Sequence, residues 1–155
     1  MNLYSEQELL AANVNPKTGL ATDYLNLFNE AIMLFELALD MPDMAEELAE
    51  WHKRGYVEHF EQSGFEMRDV VITAYHYAPA SVRMRFDPAV TRALSAFDSS
   101  IDILLSSNLT DATARADLET RLHDMKARVA ELDAHIHGRA RTMDVDLQDE
   151  VDALF

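Results

Sequence analysis

Apolar residues recur every three or four positions along two long segments of the C-terminal half of the chain. The first line is Val90, Leu94, Phe97, Ile101 and Leu104, and the second is Leu118, Leu122, Met125, Val129, Leu132 and Ile136. Alternating steps of four and three are the heptad spacing of helices that pack along a seam. Because only the short polar stretch 107–111 separates the two lines, we expect an antiparallel helical hairpin over residues 88–137.

The N-terminal half contains a third strongly periodic segment, residues 20–40. One face carries Tyr24, Phe28, Ala31, Phe35 and Ala38, and an adjacent face carries Leu25, Ile32 and Leu39. So wide an apolar arc predicts a central helix with neighbours on several sides. Pro42 should end it, and a shorter antiparallel helix should follow and stop at Gly55 in a left-handed conformation.

Capping signals indicate where the helices begin. The predicted caps are Ser5 with Glu8 as a capping box, Thr18 or Thr22, Asp43 with Glu46, and Asp87 directly before Pro88. Residues 56–64 should form a helical turn. Residues 70–77 are rich in β-branched and aromatic side chains, but we predict helix there, because a lone strand has no pairing partner. A short helix should precede the start at Asp87.

These patterns predict an all-α fold: an antiparallel helical bundle with a long C-terminal helical hairpin and a short C-terminal amphipathic helix. Four glycines and four prolines in 155 residues leave few of the turns that an all-β fold needs. We expect one bundle domain over residues 1–138, followed by a short linker and an acidic tail over residues 139–155.

The charge balance excludes some partners. The chain has 28 acidic against 13 basic residues, a formal net charge of −15. Binding to nucleic acid or to an anionic membrane is therefore not expected. Cysteine is absent, which fits a reducing cytoplasm, and we find no secretory or membrane-spanning segment.

Residues 1–138 contain little sequence evidence for a catalytic or metal-binding site. No Glu-x-x-His motif, phosphate loop or serine elbow occurs, so an enzymatic activity has no support and no cofactor is expected. Acids precede His123, His135 and His137 by four residues, a spacing typical of surface helix pairs. His52 and His59 would form a patch only if one helix continued through Gly55.

Two further polar sets lie on the predicted central helix. Asp23, Asn26 and Glu30 share one face and are best interpreted as a solvated stripe. Asn29 and Glu36 share another line of a mostly apolar helix, where a buried carboxylate would need a partner. A capping or structural role is the leading interpretation of these two residues. The alternative hypothesis is a bundle that binds a small ligand or a metal in its interior, with Asn29 and Glu36 in the polar lining.

The last twelve residues, "DVDLQDEVDALF", combine five carboxylates with apolar residues at helical spacing. As a helix from Leu147 they align Leu147, Val151 and Leu154, with Phe155 beside them and the acids opposite. A helix this short is marginal alone in water. It therefore needs a docking surface, either on its own bundle or on a partner that receives a helix in a groove.

This segment resembles the short peptides by which chemotaxis proteins bind the response regulator CheY, namely those of the chemotaxis phosphatase and the flagellar switch protein. Gln148, Asp149, Val151, Asp152 and Leu154 match their Gln-Asp-x-Val/Ile-Asp-x-Leu pattern. The resemblance covers about a dozen residues. The phosphatase also places an acid and a glutamine one turn apart on a long hairpin, whereas the only such pairs here are Glu58 with Gln62 and Asp144 with Gln148.

The leading hypothesis is thus a cytoplasmic signalling adaptor that binds a CheY-like receiver domain. Its expected partner-binding residues are Leu147, Gln148, Asp149, Val151, Asp152, Leu154 and Phe155. Phosphatase activity is not expected to carry over. The heptad seams could close within one chain or across a homodimer.

Overall fold

A computed structural model describes residues 3–139. In these residues seven α-helices follow one another: α1 Glu6–Ala11, α2 Leu25–Asp40, α3 Ala45–Ala49, α4 Tyr56–Gln62, α5 Arg68–His76, α6 Ala80–Ser106 and α7 Ala112–Ile136. Single 3-10 turns, Thr22–Tyr24 and Pro42–Met44, precede α2 and α3. The described chain has no β-strand, only an isolated bridge between Val14 and Ala21. The all-α prediction is confirmed, as is helix rather than strand at residues 70–76.

The hairpin of α6 and α7 is the largest element of the bundle. The seam positions Phe97, Leu104, Leu118, Met125 and Leu132 are almost completely buried. Leu94, Leu122 and Val129 are partly buried against the same core. The two heptad lines therefore face the core of the bundle, as their spacing predicts. None of the described helices combines the length and apolarity that crossing a membrane requires.

Helix α2 is the central helix that its apolar arc predicts, and it contacts α3, α6 and α7. Tyr24 just before it, Phe28 and Phe35 are fully buried. The rings of Phe28 and Phe97 meet edge to face with centroids 5.1 Å apart, which joins α2 to the hairpin. The indole Nε1 of Trp51 donates to the carbonyl of Leu27 at 2.8 Å and fixes the segment after α3 against α2.

The predicted helix start at Asp87 is wrong, because α6 runs without a break from Ala80 through Pro88. Asp87 does not cap; its Oδ1 accepts a hydrogen bond from the Tyr75 hydroxyl at 2.8 Å. Phe86 and Ala89 are buried on either side of the proline. Burial of these side chains outweighs the hydrogen bond that Pro88, which has no amide hydrogen, cannot make.

Of the other predictions about helix ends, one is confirmed and the rest are wrong. The Ser5–Glu8 capping box is present. Neither Thr18 nor Thr22 caps a helix, Asp43 makes no capping bond, and Gly55 has a φ of −66° and precedes α4 instead of ending α3 in a left-handed conformation. Each of these caps was predicted from the local sequence pattern alone. In the folded chain, tertiary contacts place the helix boundaries at other residues.

Ion pairs on the outside of α7 follow their four-residue spacing with one exception. Asp117 pairs with Arg121 at 3.1 Å and Asp124 with Arg128 at 3.0 Å. Asp111 and Arg115 have the same spacing, but Asp111 caps α7 by accepting from the Ala114 amide. Arg115 instead donates to the Leu39 carbonyl near the C-terminal end of α2, which ties α7 to the central helix.

We expect Phe97→Ala to lower the free energy of unfolding by about 3–5 kcal/mol, because it leaves a cavity between α2 and the hairpin. Urea unfolding followed by circular dichroism measures the loss. The control is Met84→Ala, whose side chain is 75% exposed and whose removal should cost less than about 0.5 kcal/mol. Equal effects of the two variants would contradict the central position of Phe97.

We expect Pro88→Ala to raise the free energy of unfolding by about 1–2 kcal/mol. The alanine restores a helical hydrogen bond, and the lower entropy of the unfolded proline chain offsets part of the gain. Ser95→Ala, at an exposed position of the same helix, should change it by no more than about 0.5 kcal/mol. If residue 88 began a separate helix, Pro88→Ala would be neutral or destabilising.

Candidate functional site

The sequence-predicted partner-binding residues, Leu147 to Phe155, lie outside the described residues. The structure does describe the end of α7 and the residues just after it, which precede this segment in the chain. Helix α7 ends at Ile136, His137 follows as its C-cap, and Gly138 adopts a φ of +75° that favours glycine. The described part of the chain therefore ends, at Arg139, at the end of the bundle where α6 begins.

A loop from the N-terminal part of the chain holds this end of the hairpin. Thr18 is buried, and its hydroxyl donates to the Ile136 carbonyl at 2.6 Å, which satisfies one of the last carbonyls of α7. The loop itself is closed by the Asn15 side chain, which accepts from the Lys17 amide at 2.8 Å. Thr18 was a predicted helix cap, and the structure gives it this longer-range role.

Gly19 allows the loop to lie close to α5. Its φ is +74°, and a Cβ at this position would come within 3.0 Å of the Ala74 carbonyl oxygen and 3.1 Å of the Ala78 Cβ. A larger residue would be strained in φ and would also collide with α5. Close packing here fixes the direction in which Lys17 and Thr18 extend.

A cleft of about 260 Å³ lies where this loop, the start of α6 and the end of α7 meet. The described residues that line it are Lys17, Thr18, Ser81, Val82, Arg85, His135 and Gly138. Three of these side chains are basic and none is acidic, in a chain whose formal net charge is −15. We call this site the basic cleft.

His135 is the most enclosed basic side chain of the basic cleft, with 13% of its side chain exposed. Its Nε2 lies 3.8 Å from Oε1 of Glu131, the acid four residues earlier. That same oxygen accepts a hydrogen bond from Nη2 of Arg92 on α6 at 3.0 Å. The sequence interpretation of Glu131–His135 as a helix pair is confirmed, but the cleft beside it was not foreseen.

A second, larger depression of about 420 Å³ is lined by residues of α2, of α3 and the segment after it, and of α4. Its described lining includes Glu30, Glu47, Glu50 and Glu58 as well as His52, Lys53 and Arg54. Four glutamates stand against one lysine and one arginine, so the described lining is acidic on balance. Within the described chain no group of three or more acidic, histidine or cysteine side chains could hold a metal ion.

His52 and His59 do not form a patch, as the break at Gly55 predicts. His52 is exposed at the second depression, whereas His59 on α4 packs edge to face against Tyr24, with ring centroids 5.5 Å apart. The hydroxyl of Tyr24 donates to the Arg54 carbonyl at 2.7 Å. Burial raises the pKa of Tyr24 and lowers the pKa of the half-buried His59, which favours the uncharged form of both side chains.

Asn29 and Glu36 do not line the interior as the alternative hypothesis requires, and the ion pair of Glu36 agrees with the structural role that is its leading interpretation. Asn29 is exposed, and the side chain of Glu36 is 45% exposed and pairs with Lys126 on α7 at 2.6 Å. Asn26 and Glu30 are exposed, as a solvated stripe requires, and Asp23 accepts from the side chain of Asn13. The apolar arc of α2 therefore includes neither the line of Asn29 and Glu36 nor the stripe of Asn26 and Glu30.

The acid and glutamine pair in the body of the chain lies on α4. Gln62 Nε2 donates to Glu58 Oε1 at 3.2 Å, so the two side chains are bonded to each other. Neither α6 nor α7 contains a glutamine. The long hairpin thus lacks the pair that the phosphatase family places there.

Comparison with known proteins gives no relative: no family model matches the chain, and neither the curated proteins nor the solved structures contain a significant match.

The lowered pKa of His59 makes stability depend on pH. The unfolded chain takes up a proton near the ordinary value of 6.5 while the folded protein resists it, so the free energy of unfolding falls as the pH drops below about 6.5. We expect His59→Gln to reduce this slope and His52→Gln, at an exposed site, to preserve it. Urea unfolding between pH 7.5 and pH 5 measures both slopes, and an unchanged slope in His59→Gln would contradict the assignment.

Proposed function

We propose that this protein is a cytoplasmic signalling adaptor whose C-terminal segment, residues 144–155, binds a receiver domain of the CheY type. The observation that carries the proposal is the match of Gln148, Asp149, Val151, Asp152 and Leu154 to the receiver-binding peptide pattern, at the end of a helical bundle. Leu147, Val151, Leu154 and Phe155 are the proposed apolar anchors. Asp149 and Asp152 are the proposed polar contacts that select the partner.

The arrangement of the body supports a role for the segment outside the core. The described residues form one apolar cluster that extends from Leu9 to Ile136. Thr18 satisfies the Ile136 carbonyl, and Gly138 ends the helix. A segment that continues from this point has its attachment on the surface, where a partner can reach it.

Two properties of the chain limit the proposal to binding. The hairpin of α6 and α7 has no glutamine, and the Glu58–Gln62 pair is internally bonded on a different helix. Phosphatase chemistry is therefore not part of the proposal. The alternative of a ligand in the bundle interior loses its two named residues, because Asn29 and Glu36 lie at the surface.

We expect removal of residues 144–155 to abolish binding to a purified CheY-type receiver domain, measured by isothermal titration calorimetry. The far-ultraviolet circular dichroism of the bundle should remain, and the melting temperature should change little. A loss of several degrees would instead show that the segment docks on its own bundle, and unchanged receiver binding would refute the adaptor proposal.

A matched pair of single substitutions tests the apolar stripe. Leu154→Asp replaces a proposed anchor and should weaken receiver binding at least ~10-fold, as loss of a buried anchor does. Ala153→Asp introduces the same charge on the opposite helical face and should have a much smaller effect. Equal losses would indicate a response to charge alone.

A further inference from the structure

We propose that the second depression, together with the exposed side of α2 beside it, is a docking groove for a cationic amphipathic helix of a protein partner. We call this surface the acidic groove. Its residues belong to α2, to α3 and the segment after it, and to α4. It is therefore independent of the adaptor proposal, which rests on residues 144–155.

The acidic groove has an apolar floor. Leu34 on α2 and Trp51 after α3 line the depression with the 7% and 9% of their surfaces that remain exposed. The hydrogen bond from the Trp51 indole to the Leu27 carbonyl holds the ring in one orientation. A partner therefore meets a surface that is already formed, which reduces the entropy lost on binding.

The apolar surface continues along α2 beyond the depression. Met33 is 53% exposed, and the half-buried Leu37 follows Met33 by four residues and Leu34 by three. Side chains at these spacings are neighbours on one side of a helix. The exposure of Met33 shows that no described helix covers this side of α2. A row of apolar side chains beside a depression is a surface that an amphipathic helix can occupy.

The charges at the edges of this floor select the partner. Glu30 lies on α2, and Glu47 and Glu50 lie on α3 and at its end; all three are exposed. Within residues 3–139 none of these three carboxylates has an ion-pair partner. A helix with Lys or Arg at both edges of an apolar face would place opposite charges beside them.

The bases in the lining leave this negative charge in place. Lys53 is paired with Asp98, an acid of α6 outside the lining, at 3.4 Å. Glu58 is hydrogen-bonded to Gln62, whose amide is neutral and does not compensate the carboxylate. The acidic groove therefore favours a cationic partner.

The side chains of such a partner match both parts of the groove. The methylene stems of lysine and arginine cover apolar surface while their charged ends reach outward, and a cation also binds favourably at an indole such as that of Trp51. From Glu30 to Leu37 α2 rises about 10 Å, the length of two turns of a partner helix. A second copy of this chain is a poor occupant, because its formal net charge of −15 would be repelled by the same glutamates.

A synthetic helix tests the acidic groove in the full chain. The probe is an amphipathic peptide of leucine and lysine, about 14 residues long, and its control has the same composition in scrambled order. Trp51 is the only tryptophan of the chain, so its fluorescence reports on the groove. We expect a saturable change with the amphipathic peptide and an affinity at least ~10-fold lower for the scrambled one. Equal affinities would overturn the proposal.

One pair of variants tests the charges of the groove. Glu47→Gln with Glu50→Gln should weaken binding of the amphipathic peptide roughly 5- to 10-fold, because two ion pairs with the probe are lost. Glu6→Gln with Glu119→Gln makes the same change in net charge at exposed acids of α1 and α7 and should leave the affinity within about twofold. Melting temperatures show whether both chains remain folded.

A second pair tests the apolar surface. Met33→Gln should weaken binding of the amphipathic peptide about fivefold, because it removes an apolar contact of the partner helix. Met84→Gln, at a 75% exposed position of α6, should leave the affinity unchanged. Both side chains are exposed, so neither change should lower the melting temperature. If Met33→Gln had no effect, the peptide would be held by charge alone and the docked helix would be refuted.

The acidic C-terminal segment is a competing site for any cationic peptide. A variant with its five acids replaced by the corresponding amides distinguishes the two sites; these acids are Asp144, Asp146, Asp149, Glu150 and Asp152. We expect this variant to keep the Trp51 fluorescence response and the affinity of the full chain. Loss of binding in this variant, with binding retained in the Glu47→Gln, Glu50→Gln chain, would place the peptide on the segment and overturn the proposal.

Discussion

Burial of α2 between its neighbours is the constraint on which the bundle depends. The helix contributes Phe28 and Phe35 to the core, and Tyr24 precedes it in the same cluster. The ring of Phe28 meets that of Phe97 on the hairpin, and the Leu27 carbonyl accepts from Trp51 in the segment after α3. Apolar burial provides the main driving force, and these directional contacts determine which neighbour lies on which face.

The second constraint is the closure of the hairpin end by the loop that carries Lys17 and Thr18. The bond from Thr18 to the Ile136 carbonyl joins residues 118 positions apart and sets the end of α7 beside the start of α6. The basic cleft is a consequence of this closure. The same end of the molecule thus holds both the basic cleft and the point from which the C-terminal segment continues.

Pro88 and Gly55 show why local signals misplaced some boundaries. An aspartate before a proline usually begins a helix, but here the side chains on both sides of the proline are buried and the helix continues. A glycine after a helical pattern usually ends it in a left-handed conformation, but Gly55 precedes α4 with a φ of −66°. In both places a preference of a few kcal/mol or less competes with burial of several large side chains, and burial prevails.

The sequence alone determined the fold class, the central position of α2 and the hairpin of α6 and α7. These follow from apolar periodicity, which each segment carries within itself because a helix repeats every 3.6 residues. The sequence also contains the whole pattern from Gln148 to Leu154 on which the adaptor proposal rests. Only the tertiary structure decided that Asn29 and Glu36 lie at the surface, that His59 points into the core, and that Lys17, Arg85 and His135 meet. Their meeting depends on how distant segments pack, and no spacing within any one segment encodes it.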